Sequence, residues 1–385
     1  MAVYLAFKEI WRNRTRYFLF SLVIALITTL VLFIAALAVG LATANKQYLE
    51  VLNTDLLAFQ ENTDLQITTS QIGWSKLNDI RRVDGISDMG AIGYSRGSLV
   101  FEDGREPIDV SLIGVEAGRP GSPEVIDGRS IRTIRGNEVV IDENAVKQAG
   151  IAIGDEVVIK VIQGTTEEFY TLRVVGTTQA QQYLFAPSIF LPFQTWDRVR
   201  PQPVRGGNPN REQAANMVAI RLQEGADLET VSTRIEAQVS DLQVVDKATA
   251  IEAIPGYTAQ QSTLNTQRSF TLLIGLLVIG GFFQIQTLQK VPQIGVLKAI
   301  GASNRIVAIS VVSQITIITL IGVAIGSLVT LLLAMVMPDV VPVVFEPQAI
   351  VFQILGLLLI GPLGGLVAVR LTTRIEPLTA LGVSS

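Results

Sequence analysis

Four stretches of this chain contain no Asp, Glu, Lys or Arg: Tyr17–Ala44, Ser269–Gln289, Ile306–Pro338 and Pro347–Val369. Each reaches the ~20 residues that a helix needs to cross a bilayer. They predict transmembrane helices at 17–44, 269–288, 306–336 and 348–369, with a long mixed segment between the first and second. Ahead of the first, Val3, Phe7, Ile10, Trp11 and Arg14 recur at helical spacing, with Lys8, Glu9, Arg12 and Arg16 elsewhere on the wheel. That pattern predicts an interfacial helix over 1–16. Beyond the first run, Leu49, Leu52, Leu56 and Phe59 recur at three and four residues, which predicts that the span continues outward as a stalk helix; a plain surface helix fits the same spacing.

Segment 45–268 reads as an α+β domain. Glu102-Asp103-Gly104-Arg105 predicts a hairpin between strands Ser98–Phe101 and Ile108–Val115. Asn137–Asp142 is followed by a helix ending near Ala149, then by glycine turns and a strand that runs to Ile159. Pro201–Asn210 is a Pro, Gly and Asn loop that predicts a subdomain break. Met217–Leu222, Asp227–Val239 and Leu242–Val245 read as strand, amphipathic helix and strand, an alternation that suggests a ferredoxin-like piece.

Composition agrees with a membrane protein: 49% of the 385 residues are hydrophobic, 17% are charged, and the mean hydropathy is +0.43. Lys8–Arg16 and the Ala36-Leu37-Ala38 stretch have the outline of a signal peptide, but the apolar core is too long, so a retained anchor is expected. Basic residues set the orientation, because cytoplasmic loops carry the positive excess. Lys8 to Arg16, then Lys290, Lys298 and Arg305, then Arg370 and Arg374 mark three cytoplasmic segments, whereas the 337–347 loop holds Asp339 and Glu346 and no basic residue. Both chain ends are therefore expected inside the cell membrane, and segment 45–268 outside. A net charge of −4, with the cations dispersed, excludes nucleic acid as a partner.

The chain has neither cysteine nor histidine, which removes thiolate and imidazole chemistry. No G-x-x-x-x-G-K-[S/T] phosphate loop is present, and no ionisable group lies deep in the four runs, so energy must come from another subunit. No catalytic or metal-binding residue is proposed. Acidic pairs such as Asp142 and Glu143, or Asp155 and Glu156, read as strand ends and turns. Thr28, Thr29, Gln284, Gln286, Gln314, Thr316 and Gln353 in the spans read as helix-to-helix hydrogen bonding, and Gly322-x-x-x-Gly326 and Gly361-x-x-x-Gly365 as close-packing steps. Tyr48, Tyr257, Gln260 and Gln261 are candidates for an outer-leaflet substrate entrance, with interfacial anchoring as the simpler reading of the tyrosines.

The 289–305 segment carries a short helix with marked ends. Pro292 suits a first helical position, Gly301 the left-handed residue that closes a helix, and Ser303 the cap of the next. A helix this short is marginal alone, so a partner surface completes it. Candidate coupling residues are Pro292, Gln293, Ile294, Gly295, Leu297, Lys298, Ala299, Ile300 and Gly301.

Ile294–Ala302, the Glu138–Ile141 and Gly150–Asp155 stretches, and the Arg374–Gly382 tail together resemble permease subunits of the MacB-type, or type VII, ABC transporters. Gln289–Gly301 is most similar to the permeases of Gram-positive haem exporters and of DevC-type exporters; it carries Pro292-Gln293 where most relatives have a basic residue or Thr followed by Glu. The resemblance implies an α-helical membrane protein with four transmembrane helices and a large extracytoplasmic α+β domain inserted between helices 1 and 2. It also implies a coupling helix over 289–305, a cytoplasmic tail over 370–385, and a homodimer working with an ABC ATP-binding subunit that holds ATP and Mg. This chain would itself bind no cofactor. A membrane-fusion protein is implied where a second membrane exists, and lipid borders the route. Haem is one candidate cargo, although its iron prefers His, Met, Cys or Tyr. The alternative is a non-transporting mechanotransmitter that regulates an extracytoplasmic enzyme or senses a peptide, and the large external domain favours transport over it.

Overall fold

A computed structural model of the chain describes residues 2–201, 213–289, 292, 296, 301–338 and 341–373. Helices α1 (Ala2–Arg12) and α2 (Arg14–Val51) lead into β1 (Leu56–Gln60), β2 (Ile72–Gly73), α3 (Trp74–Ile80), β3 (Ile86–Val100), β4 (Ile108–Val115), β5 (Val125–Gly128) and β6 (Glu138–Asp142). Then come α4 (Glu143–Ala149), β7 (Glu156–Gln163), β8 (Thr166–Thr178), β9 (Ser188–Pro192), α5 (Phe193–Val199), β10 (Ala214–Ala215) and β11 (Met217–Leu222). The described chain ends with α6 (Leu228–Gln238), β12 (Leu242–Asp246), α7 (Lys247–Glu252), α8 (Tyr257–Gln289), α9 (Asn304–Val336) and α10 (Pro347–Thr373). Two compact units result: Met1–Gly40 with Ser262–Ser385, and Leu41–Gln261.

In the first unit, α2 and α9 are long and apolar enough to cross a membrane. The interfacial helix expected over 1–16 ends sooner: Asn13 interrupts it, its carbonyl accepts the Arg16 and Tyr17 N–H groups, and Arg14–Arg16 form the first turn of α2. Ser21 and Ile24 of α2 meet Gly322 of α9, and Ala25 and Thr28 meet Gly326. Residue numbers rise together along the contact, so these two helices run parallel. A Cβ on Gly322 would stand 2.6 Å from Ile24 Cβ, and one on Gly326 2.6 Å from the Ala25 carbonyl oxygen. The expected close-packing step is thus a backbone-to-backbone contact, supplemented by Thr29 Oγ1, which donates to the Gly326 carbonyl at 3.1 Å. Further along, Val344 N–H donates to Ala36 O at 3.2 Å, and Pro342 of the α9–α10 loop lies against Gly40. The surroundings of Gly361 and Gly365 lie outside the described residues.

In the second unit the strand order begins β12-β1-β11-β3, with all three pairings antiparallel. Strands β1 and β3 flank α3, and β11 and β12 flank α6, which is the ferredoxin-like arrangement expected from the last three elements. Between its second and third strands is inserted the remainder of the domain. There β3, β4, β9, β6, β8 and β7 pair in a closed ring, leaving few free edges. The predicted hairpin joins β3 to β4, and Asp142 caps α4 while Gly150 closes it in the left-handed region. Positions 202–210 of the expected subdomain break lie outside the described residues.

Both faces of this sheet are buried, and successive residues alternate between two cores. Ala58, Leu112, Ile141, Ile189 and Val218 enter one; Leu57, Ile113, Val140, Phe190 and Ala219 enter the other. This overturns the stalk reading for Leu56 and Phe59. Helix α2 stops at Val51, and Leu56–Phe59 is a central strand paired on both edges. Four consecutive apolar residues suit a doubly buried strand as well as a helical stripe, and periodicity alone does not separate them. Thr54 decides it: its hydroxyl donates to the carbonyls of Leu56 at 2.9 Å and Ile220 at 2.7 Å, which ties the chain to β11. In the first core Gly93 and Gly114, directly opposite each other on β3 and β4, form a slot for the fully buried Trp196 ring.

Two outcomes follow from this packing. Gly326→Val should destabilise the detergent-solubilised protein by about 2 kcal/mol through overpacking, whereas Gly281→Ala, with nothing within 4 Å of the new methyl, should leave the thermal midpoint unchanged. Asp142 is wholly buried, and burial pushes its pKa from 3.8 up to about 6 against the hydrogen bonds it accepts from the Ala145, Ser188 and Gln181 N–H groups. The folded chain therefore keeps this proton at higher pH than the unfolded chain. Its stabilisation is complete below the unfolded value and falls by about 3 kcal/mol as pH rises through the folded one. Asp142→Asn, which preserves an acceptor for the cap, should flatten that slope in denaturation curves recorded across the window.

Candidate functional site

The predicted coupling segment begins where α8 ends. Gln289 accepts a hydrogen bond from the Arg16 guanidinium, so the start of α2 and the end of α8 are tied just before the segment starts. Pro292 and Val296 are helical, and Val296 is exposed. Gly301 has φ +95°, the left-handed conformation expected of a helix-closing glycine. Ser303 caps α9, its side chain accepting from the Ile306 N–H. Gln293, Ile294, Gly295, Leu297, Lys298, Ala299 and Ile300 lie outside the described residues.

The four candidate entrance residues divide. Tyr48 is 1% exposed and packs with ring centroids 5.9 Å from both Tyr183 and Phe190, inside the second core rather than on a surface. A tyrosine enclosed in this way does not line an opening. Tyr257 borders the same core from the first turn of α8 and is half-buried, with the Lys46 ammonium 5.7 Å from its ring centroid. Burial works to lower the Lys46 pKa, but the hydrogen bond and charge of Glu50, aided by Tyr257, leave it above its ordinary value. Gln260 and Gln261 follow on the same helix and are half-buried. The structure thus associates Tyr257 with Tyr48 through one hydrophobic cluster and Lys46.

What the sequence did not reveal is a loop, residues 181–186, spliced into α2. Tyr48 N–H donates to Gln182 O at 3.0 Å, Phe185 N–H donates to Ala44 O at 3.1 Å, and Gln182 N–H donates to the Gln47 side chain at 3.3 Å. Ala44 O and Tyr48 N–H are an acceptor and donor that an α-helix pairs four residues apart. The loop therefore engages the helix ladder itself, a recognised cause of local bending. To do so it holds Leu184 at φ 50° and Phe185 at φ 66°, which are costly for non-glycine residues. No glycine or asparagine marks the position, so turn chemistry gave no signal.

Around this splice several buried polar groups have no hydrogen-bond partner among the described residues: both ends of the Asn45 amide, the Tyr48 hydroxyl and the Tyr94 hydroxyl. Tyr94 and Tyr183 meet edge to face at 5.4 Å, and burial raises the pKa of the Tyr48 and Tyr183 phenols, keeping them neutral. Among the span residues, Gln314 donates to Glu9 and Thr29 donates to Gly326 O, as the helix-to-helix reading expects. Among the described residues, the Thr28 hydroxyl and the Gln353 side-chain oxygen are buried without a hydrogen-bond partner.

Residues 17–238 match the family model described as the MacB-like periplasmic core domain, and residues 269–377 match that of the FtsX-like permease C-terminal region. The chain belongs to the MacB-like, FtsX-like permease family. It is 25% identical to a protein of Staphylococcus haemolyticus strain JCSC1435 named as a hemin transport system permease, HrtB, over 98% of this chain and 99% of that one. It is 24% identical to the macrolide export ATP-binding/permease protein MacB of Escherichia coli strain K12, over 64% of this chain and 38% of that one. The extracellular domain of the noncanonic ABC-type transporter YknZ from Gram-positive bacteria superposes with a TM-score of 0.37 at 16% identity, covering 50% of this chain and 100% of that one. Members of this family of ABC exporters are membrane permease components that work with an ATP-binding subunit.

The orphaned hydroxyl of Tyr48 provides a test of its place in the permease. Tyr48→Phe should raise the unfolding free energy by about 1 kcal/mol, since a buried hydroxyl without a partner is removed. Tyr48→Ala should lower it by about 4 kcal/mol, read from denaturation of the full chain in detergent.

Proposed function

We propose that this permease is the mechanical half of an ABC exporter for a hydrophobic or amphipathic molecule. The observation that carries the reading is helix length. Helix α2 has 38 residues and α8 has 33, or ~57 Å and ~50 Å at 1.5 Å per residue, against a hydrocarbon core of ~30 Å. Each continues without a break well beyond what a membrane crossing requires. The overhanging part of α2 is the part engaged by loop 181–186, and that of α8 carries Tyr257, Gln260 and Gln261. Such rods suit the transmission of displacement better than the lining of a fixed pore.

In this reading α2, α8, α9 and α10 are the four spans, with both chain ends cytoplasmic and the 45–268 domain outside. The parallel course of α2 and α9 supports it, because the first and third spans of such a topology must run the same way. Two copies of the chain pair with two copies of an ATP-binding subunit that holds ATP and Mg. Closure of that subunit pushes on the segment from Pro292 to Gly301. The Arg16–Gln289 tie then passes the push to α2 and α8 together. Tyr257, Gln260 and Gln261 border the outer-leaflet route, while Tyr48 anchors the lever from within the domain. The hemin named for the staphylococcal relative makes haem a candidate cargo, and a membrane-fusion protein is the expected partner where a second membrane exists.

Gly301→Val places a β-branched residue at φ +95°, a conformation such residues rarely adopt. In proteoliposomes with the cognate ATP-binding subunit, stimulation of ATP hydrolysis by the permease should fall at least ~10-fold, a loss of about 1.4 kcal/mol in coupling. Stimulation equal to that of the parent chain would count against the coupling role.

A further inference from the structure

Helix α1 has an unusual distribution of charge for an amphipathic helix. Tyr4, Phe7 and Trp11 form a stripe on one face and are 67%, 58% and 70% exposed, with the Phe7 and Trp11 rings stacked at 6.3 Å. Ile10 packs toward the opposite side, against the cluster that includes Tyr17 and Ile315. Glu9 turns the same way. It accepts hydrogen bonds from Gln314 of α9 and from the Tyr17 hydroxyl. Lys8 and Arg12, one turn apart, remain exposed beside the aromatic stripe, and among the described residues neither has an ion-pair partner. The single carboxylate of α1 is thus withdrawn from the face that carries the cations.

We propose that this face of α1 is a binding surface for the headgroups of anionic phospholipids, with the aromatic stripe seated at the level of the headgroups and Lys8 and Arg12 paired with lipid phosphates. The occupant is chosen by complementarity. Aromatic rings with a polar edge favour the interface between lipid and water, and uncancelled cations beside them favour the anionic cytoplasmic leaflet. A protein partner would have to cover a stripe already suited to lipid. Glu9 acts as the positioning residue: by holding α1 to α9 through Gln314, it fixes which face meets the bilayer. Because the end of α8 and the start of α2 are joined by Gln289 and Arg16, lipid bound here would bear on the same end of the proposed levers. The inference rests on the cytoplasmic placement of the N-terminus proposed above.

The test uses the full chain reconstituted in phosphatidylcholine vesicles containing either brominated phosphatidylcholine or brominated phosphatidylglycerol. Fluorescence quenching of Trp11 is obtained as the difference from a Trp11→Phe chain. Quenching should favour the anionic lipid, by about fivefold in local enrichment for each cation. The preference should disappear in Lys8→Gln/Arg12→Gln, with quenching by phosphatidylcholine retained, and reverse in Lys8→Glu/Arg12→Glu. Equal quenching by both lipids in the parent chain, or no quenching by either, would overturn the proposal. Orientation is tested separately with Lys298→Cys, a unique thiol in a chain without cysteine. Labelling by an external impermeant maleimide would sink the topology, and a lipid preference that survived it would leave the binding surface standing.

Discussion

The constraint on which this structure depends is that a backbone inside a bilayer must satisfy its own hydrogen bonds. A span obeying it is a stiff rod, and a rod longer than the membrane is thick must carry its stiffness into whatever lies beyond. Helix α2 does so for 38 residues. Its apolar half is held by glycine-width contact with α9, where backbone touches backbone and little relative sliding is tolerated. Its far half is held differently, by loop hydrogen bonds made to its own ladder at Ala44 and Tyr48.

In the reading proposed above the α+β domain receives a displacement, which calls for a rigid unit. Its sheet achieves this by burying both faces, so that neighbouring residues such as Leu57 and Ala58, or Val140 and Ile141, serve different cores. Neither core can shift without disturbing the strands that border the other, because interiors packed to crystal density transmit strain. The closed ring of β3, β4, β9, β6, β8 and β7 removes the edges at which such a sheet would otherwise shear. The ferredoxin-like half keeps its own helices, α3 and α6, and the ring is inserted within it, so the chain enters and leaves the domain through the same half.

How much of this was legible in the sequence differs by the kind of signal. Charge-free runs located the long helices, because a bilayer rejects ionised groups whatever their neighbours. The Asp103-Gly104 turn, the Gly150 closure and the Ser303 cap were legible because each needs one residue type at one backbone conformation. Leu56–Phe59 was misread because a doubly buried strand has no polar alternation, and its apolar positions fall by chance on a helical stripe. Tyr48 was misplaced for a related reason. An amphipathic ring near the end of a span suggests an interface, and only the tertiary cluster with Tyr183 and Phe190 shows that it is enclosed. The 181–186 loop was invisible because it violates the rule that would have revealed it, placing leucine and phenylalanine where glycine is expected.

That violation bears on mechanism. Leu184 and Phe185 hold strained backbones, while Asn45, Tyr48 and Tyr94 keep buried polar groups without partners a few residues away along the same contact. Each defect costs on the order of 1–3 kcal/mol, and a domain otherwise packed on both faces of its sheet has no evident need for them. Their concentration marks this contact as one whose local cost the surrounding packing must offset. Under the transmission reading proposed above, a displacement of α2 is opposed least where such costs accumulate. Lifting the loop from Ala44–Tyr48 would relax two strained residues and open three unpartnered polar groups to water. In that reading a contact with this balance suits a switch between two positions.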